Sequence, residues 1–232
     1  MVTVSLEDEI EISEGSGLEV VDEIGWSGTG VPLPSGLAGV GSNLVGQALN
    51  AVGLSARVRL RKRIPAGAGL GGGSADAAAV LRWAGCDDTG VAVALGADVP
   101  FCVRGGRAMV RGVGEIVEPL EYERRDILLV VPPLAVSTPA VYGAWDSLGG
   151  RTGGRGNDLE AAALKVEPRL AWWRDLVAKV SGVTPRLAGS GGTWWLEGTK
   201  AEMSGLVAPL SAAILAAGES ALVRPVVTVP SS

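Results

Sequence analysis

Histidine does not occur in this chain of 232 residues. Its absence removes every Ser-His and Cys-His nucleophilic pair, every His-ligated metal site and imidazole as a general base. Proton chemistry therefore falls to carboxylates, Lys or Tyr. Cysteine occurs twice, at Cys86 and Cys102, without C-x-x-C spacing. That suits a reduced, cytoplasmic protein with two core thiols better than a disulfide framework, and no metal centre is expected. No apolar run approaches the ~18 residues of a membrane span. Charged residues are scarce, at 19% against the ~25% usual in globular proteins. They sum to −5, with 20 basic against 25 acidic, the wrong sign for gripping a nucleic acid backbone. The first 24 residues carry Glu7, Asp8, Glu9, Glu11, Glu14, Glu19, Asp22 and Glu23 and no base, the reverse of a leader peptide. The expected partner is a small molecule, with neither nucleic acid nor membrane involved, and the expected state is a monomer or weak homodimer.

Glycine is abundant instead, at 35 residues, clustered and without a three-residue period, in a chain that is 47% hydrophobic. Clustered glycines bring backbone close to a ligand. The length allows one domain or two small ones. Alternation predicts strands over 2–6, 9–12, 18–21 and 57–63, and residues 25–41 form a loop rich in Gly, Pro and Ser. Ser42 or Asn43 caps a helix carrying Leu44, Val45, Ala48, Leu49 and Val52. Residues 75–84 form the next helix. Beyond the polar link 121–126, a buried strand (127–131) precedes helices over 139–148 and 168–180. Strand-like 186–188 and 193–196 flank a second glycine turn. Thr199 with Glu202 forms a capping box, and 221–229 closes as a strand. Helices and strands mix without strict alternation, which predicts an α+β fold in two lobes.

The strand at 57–63 delivers the chain into Pro65-Ala66-Gly67-Ala68-Gly69-Leu70-Gly71-Gly72-Gly73-Ser74-Ala75. Strand, glycine loop and helix in that order are the setting of a phosphate site, because backbone amides and a helix N-terminus meet the anion. Ser74 can cap the helix or offer its hydroxyl to a phosphate or its Mg²⁺. Walker A fails, since no Lys follows the glycines. Gly67-x-Gly69-x-x-Gly72 matches the dinucleotide fingerprint, but Asp87 sits in a turn rather than at the end of a second parallel strand. The H-R-D and D-F-G segments of protein kinases are absent.

The run from Pro65 to Ala75 resembles the ATP loop of the GHMP small-molecule kinases. Further segments resemble one branch, which phosphorylates a cytidine diphosphate-linked methylerythritol. These are Leu95-Gly96-Ala97-Asp98-Val99-Pro100-Phe101, Gly112-Val113-Gly114-Glu115, Val136-Ser137-Thr138, Asn157-Asp158-Leu159-Glu160 and Leu187-Ala188-Gly189-Ser190-Gly191-Gly192-Thr193. The resemblance implies a two-lobed α+β fold with a ribosomal-S5-like N-terminal domain over 1–123 and a C-terminal domain over 124–232. It implies ATP with Mg²⁺ on the glycine loop, and phosphoryl transfer to the 2-hydroxyl of the cytidine diphosphate-linked polyol in non-mevalonate isoprenoid synthesis. Asp98 takes the place of the family's catalytic aspartate, Thr138 lies close to substrate, and Gly189, Ser190, Gly191 and Gly192 form the family's third motif. Alternatives are another GHMP kinase, a nucleotide-binding relative without turnover and, most distantly, a dinucleotide-dependent oxidoreductase.

Two segments of the family, P-A-K-I-N-L with its phosphate-binding Lys and a later D-G-Y-H, have no counterpart here. Met1 is therefore expected to be an internal methionine of a product beginning roughly 40 residues earlier, within single-domain size priors. The 232-residue chain is expected to bind ATP weakly and to turn over substrate poorly. The basic cluster Arg59, Arg61, Lys62 and Arg63 reads as a solvated strand face. Trp172, Trp173, Trp194 and Trp195 read as half core. Replacing Gly71 or Gly72 with a β-branched residue is expected to weaken ATP binding while largely sparing the fold.

Overall fold

The computed structural model describes residues 1–25, 43–150 and 156–231. Most of the expected loop over 25–41, and Ser42 with it, lies outside these. Strand β1 (Glu9–Ser13) and β2 (Gly17–Asp22) flank β3 (Arg57–Lys62), antiparallel and parallel to it respectively. Alternation along β3 turns Val58 and Leu60 inward, each with no exposed surface. They meet α1 (Leu44–Ala51) and α2 (Gly72–Trp83) in a core that includes Val45, Ala48, Ala77, Val80 and Leu81. Asn43 caps α1, its Oδ1 accepting from the Val45 N–H at 2.9 Å. The outer face of the sheet is laced with ion pairs, among them Arg59 with Glu19, and Arg61 and Arg63 with Glu9 and Glu23. Exposed pairs of this kind contribute ~0–1 kcal/mol each.

Helices α3 (Thr89–Leu95) and α4 (Val99–Arg104) follow, then the hairpin β4 (Ala108–Arg111) and β5 (Ile116–Pro119). Central to the rest is β6 (Asp126–Val131). After it come α5 (Thr138–Ser147), α6 (Glu160–Val166), α7 (Arg169–Ser181), β7 (Arg186–Leu187), β8 (Trp194–Gly198), α8 (Lys200–Gly205), α9 (Val207–Ala216) and β9 (Leu222–Val227). The second sheet runs β7-β8-β6-β9, antiparallel throughout. Strand β6 is buried on both faces, which explains its unbroken apolar run. Leu128 and Val130 join the larger core with Leu170, Trp173, Trp194, Leu210 and Ile214. Ile127, Leu129 and Val131 face a smaller core containing Ala68 and packed by Leu70, both from the glycine loop. The capping box forms, Thr199 and Glu202 each accepting from the other's backbone N–H. Among the described residues no helix is long and apolar enough to cross a membrane.

Three expectations are corrected. Residues 2–6 form no named strand; Val2 bridges Arg107 and Val4 bridges Thr228 singly, because the segment bonds first to the β4 hairpin and then to β9. Helix α2 begins at Gly72, three residues early, because Gly71 (φ +70°) occupies the cap position; Ser74 lies inside the helix and is not its cap. Lys62 is not on the solvated face. It continues the inward series Val58, Leu60, Lys62 and is 7% exposed.

Candidate active site

The glycine loop, the start of α2, the α3–α4 turn and the loops before α5 and β8 enclose a cavity of about 560 Å³. Residues Ile64 to Ser74 line one wall, with Lys62 and Asp76 beneath it. Ala97, Asp98, Thr138, Tyr142, Leu159, Gly189 and Ser190 line the others. Of the expected site residues, Ala75, Gly191 and Gly192 do not line it. The last two shape it from behind: the Gly191 carbonyl backs Gly69, and a Cβ on Gly192 would meet the Gly67 carbonyl and the Ala68 Cα, each at 2.8 Å.

No side chain caps α2, and its first helical bond runs from the Ala75 N–H to the Gly71 carbonyl. The amides of Gly72, Gly73 and Ser74 precede that ladder. Among the described residues these N–H groups meet no acceptor, and with the positive end of the helix dipole they open on the cavity, a setting suited to an anion.

A second glycine turn fixes the first from outside. The Thr193 hydroxyl, fully buried, donates to the Ala68 carbonyl at 2.7 Å across 125 residues of sequence. A Cβ on Gly69, already at φ +74°, would collide with the carbonyls of Gly191 and Ala188. Asn157 braces the turn, its Nδ2 donating to the Leu187 and Gly189 carbonyls at 2.9 and 2.8 Å. The Thr138 and Ser190 hydroxyls share a hydrogen bond of 2.7 Å.

Asp98 stands at the N-cap position of α4 yet makes no capping hydrogen bond, so its carboxylate is not spent on the helix. A Cβ built on Gly71 would lie 3.9 Å from its Oδ2, which puts the carboxylate beside the loop. Desolvation raises its pKa, opposed by the Met1 ammonium. Nearby Cys102 is pushed up to about 12, chiefly by burial and then by the Asp98 charge, so its thiol stays protonated and inert.

Beneath the loop, Lys62 Nζ is held by Asp8 and, at 2.7 Å, by Asp76. Burial pushes the Asp76 carboxyl up to about 6, against the pull of Lys62. Among the described residues no group of three or more His, Cys, Asp or Glu side chains is placed to hold a metal ion.

Residues 42–106 match the family described as GHMP kinases N terminal domain. The 4-diphosphocytidyl-2-C-methyl-D-erythritol kinase of Paracoccus denitrificans (strain Pd 1222) is 37% identical over 181 residues, covering 70% of this chain and 66% of the relative. That of Cereibacter sphaeroides (strain KD131 / KCTC 12085) is 35% identical over 190 residues, covering 70% and 68%. The chain belongs to this kinase family. A crystal structure of a 4-(cytidine 5'-diphospho)-2C-methyl-D-erythritol kinase superposes with a TM-score of 0.67 at 29% identity, covering 97% of this chain and 87% of that one. The α+β GHMP kinase fold expected from the motifs is thus the fold observed. The chain spans about two thirds of the length of these curated 4-diphosphocytidyl-2-C-methyl-D-erythritol kinases.

Sequence inspection missed several residues here. Lys62 was signalled by its two-residue spacing from Leu60. Tyr142 lies four residues from Thr138 on α5, hence on the same helix face. Asp8, Asp76 and the Thr193 brace had no local signal, because their partners come from distant segments. None of the four paired tryptophans lines the cavity; Trp173 and Trp194 are core.

Proposed function

We propose that this chain transfers the γ-phosphoryl group of ATP to the 2-hydroxyl of 4-diphosphocytidyl-2-C-methyl-D-erythritol. The observation that carries the reading is the unspent Asp98 carboxylate beside the open amides at the start of α2. The amides suit the phosphates of ATP; Pro65 to Ala75 would wrap them, and Gly189 to Gly192 would hold that wrap in shape. Asp98 would accept the proton of the acceptor hydroxyl as its oxygen bonds the γ-phosphorus and the bond to the β-phosphate oxygen breaks, leaving ADP. Family membership supports the acceptor. Thr138 is suited to orienting a polar substrate group, and the ring of Tyr142, 51% exposed, offers a face on which a base can stack.

Mg²⁺ takes hard oxygen ligands and usually keeps waters and phosphate oxygens around one or two carboxylates. The lining offers the Ser74 hydroxyl as the side-chain oxygen that would hold it together with the phosphate oxygens of the nucleotide. When bound, the ion neutralises phosphate charge.

Coupled ATP-consumption assays across candidate alcohols test the proposal. ADP release is expected with 4-diphosphocytidyl-2-C-methyl-D-erythritol. Release with homoserine or mevalonate instead would overturn the acceptor, and NAD binding without ATP binding would overturn the reaction class.

A further inference from the structure

Lys62 ends β3 and Asp76 lies one turn into α2, so the two bracket the glycine loop. Their 2.7 Å contact closes a span of fourteen residues. Asp8 secures the incoming side: Oδ1 accepts from the N–H groups of Arg63 at 2.6 Å and Ile64 at 2.9 Å, while Oδ2 accepts from Lys62. The same Oδ2 lies 3.3 Å from where a Cβ on Gly72 would stand, so the carboxylate also abuts the first residue of α2. All three side chains are at most 8% exposed.

Two buried carboxylates against one ammonium are a poor way to stabilise a fold. Desolvation offsets most of the attraction, and apolar replacements of like volume often do as well. What the cluster supplies is geometry. It fixes the distance between the two ends of a loop whose glycines would otherwise let it wander.

We propose that Lys62 is a positioning residue, clasping the two ends of the glycine loop between Asp8 and Asp76 so that the amides of Gly72, Gly73 and Ser74 stand ready for phosphate. This rests on reading the loop as the ATP cradle. Two of the three ammonium donors are taken by the carboxylates, so Lys62 acts through the backbone it holds.

Lys62→Met would strand two buried carboxylates and is expected to unfold the protein, so the test uses Asp76. In Asp76→Ala the far end of the clasp is gone while Lys62 keeps Asp8, one charge against one. The KM for ATP should rise ~10-fold, the scale of a lost charge-assisted hydrogen bond, with kcat within ~3-fold. Asp76→Asn, which keeps an acceptor oxygen for Lys62, should recover most of the loss. In the unliganded protein, backbone amides of 69–74 should exchange with deuterium faster in Asp76→Ala than in wild type, and Asp76→Asn should restore protection. Equal exchange in all three proteins, or a loss shared by Asp76→Asn, would overturn the clasp. Should the wild-type protein bind no ATP, the functional proposal fails, while exchange in the unliganded protein still decides whether the clasp exists.

Discussion

Asp98 and Asp76 are both aspartates at the wall of one cavity, and their surroundings give them different work. Asp98 is free of helix capping and open to the cavity, so its charge is available to a reacting hydroxyl. Asp98→Asn keeps the shape and removes the charge. A fall in kcat of ~10²-fold or more is expected, the scale of a lost general base, with the Kd for ATP by calorimetry nearly retained. Asp76 is committed to Lys62, and burial holds its carboxyl at about 6 against an ordinary 3.8. A folded-state value above the unfolded one means that the native protein binds the extra proton. The stability Asp76 contributes is therefore present below pH ~4 and lost as pH rises through ~6, by an amount of order 1–3 kcal/mol. Urea unfolding of wild type and Asp76→Asn between pH 4 and 7 should show that difference. Parallel curves would mean that Asp76 titrates alike in both states. Gly72 corrects the expectation that a β-branched residue there would largely spare the fold. A Cβ there would meet Ile64 Cγ2 at 2.9 Å and the Asp8 carboxylate at 3.3 Å, so a β-branched side chain would disturb the core as well as the cavity.

At the scale of elements, the cavity wall depends on how two glycine turns interlock. Thr193→Val keeps volume and branching but leaves the Ala68 carbonyl buried without its donor. The expected cost is ~1–3 kcal/mol in urea unfolding, with a raised KM for ATP because the loop loses its outer brace. Thr193→Ser should recover both. Much of this architecture was legible beforehand. Alternation marked β1, β2 and β3, helical spacing marked α1, the expected helices over 139–148 and 168–180 match α5 and α7, and Thr199 with Glu202 marked the start of α8. The hairpin β4–β5 escaped notice because four-residue strands are too short to show a period. Helix α3 was passed over because Gly90 sits in a seven-residue helix that only Asp88 announces, through its cap bonds to Gly90 and Val91. The glycine motif and Asp98 were visible as local strings. The brace of Asn157 and Thr193, and the partners of Lys62, belong to contacts spanning 14 to 125 residues, which no local pattern carries.

For the whole molecule, the smaller core is decisive. It joins Ala68 of the glycine loop to Ile127, Leu129 and Val131 of β6 and to Leu222 and Val226 of β9, while Val4 and Leu6 pack on it. The opening residues add stitches on both sides, with Thr3 bonded to Gly106 at 2.8 Å and Val229 bonded to Thr3 at 3.0 Å. A shared core and shared backbone bonds leave neither half a boundary at which to come apart alone. Far-UV circular dichroism and tryptophan fluorescence should therefore report one coincident urea transition. Two separated midpoints would refute this.

The Thr193–Ala68 bond also imposes an order in time. On a ribosome adding roughly 5–20 residues each second, the 125 residues between them take about 6–25 s to appear. Throughout that interval the nascent chain carries its glycine loop without the turn that covers it; β6 emerges midway, and Ala68 and Leu70 have no β9 to lie against until later still. The site is thus completed only once Thr193 has left the tunnel, long after the glycine loop itself has emerged.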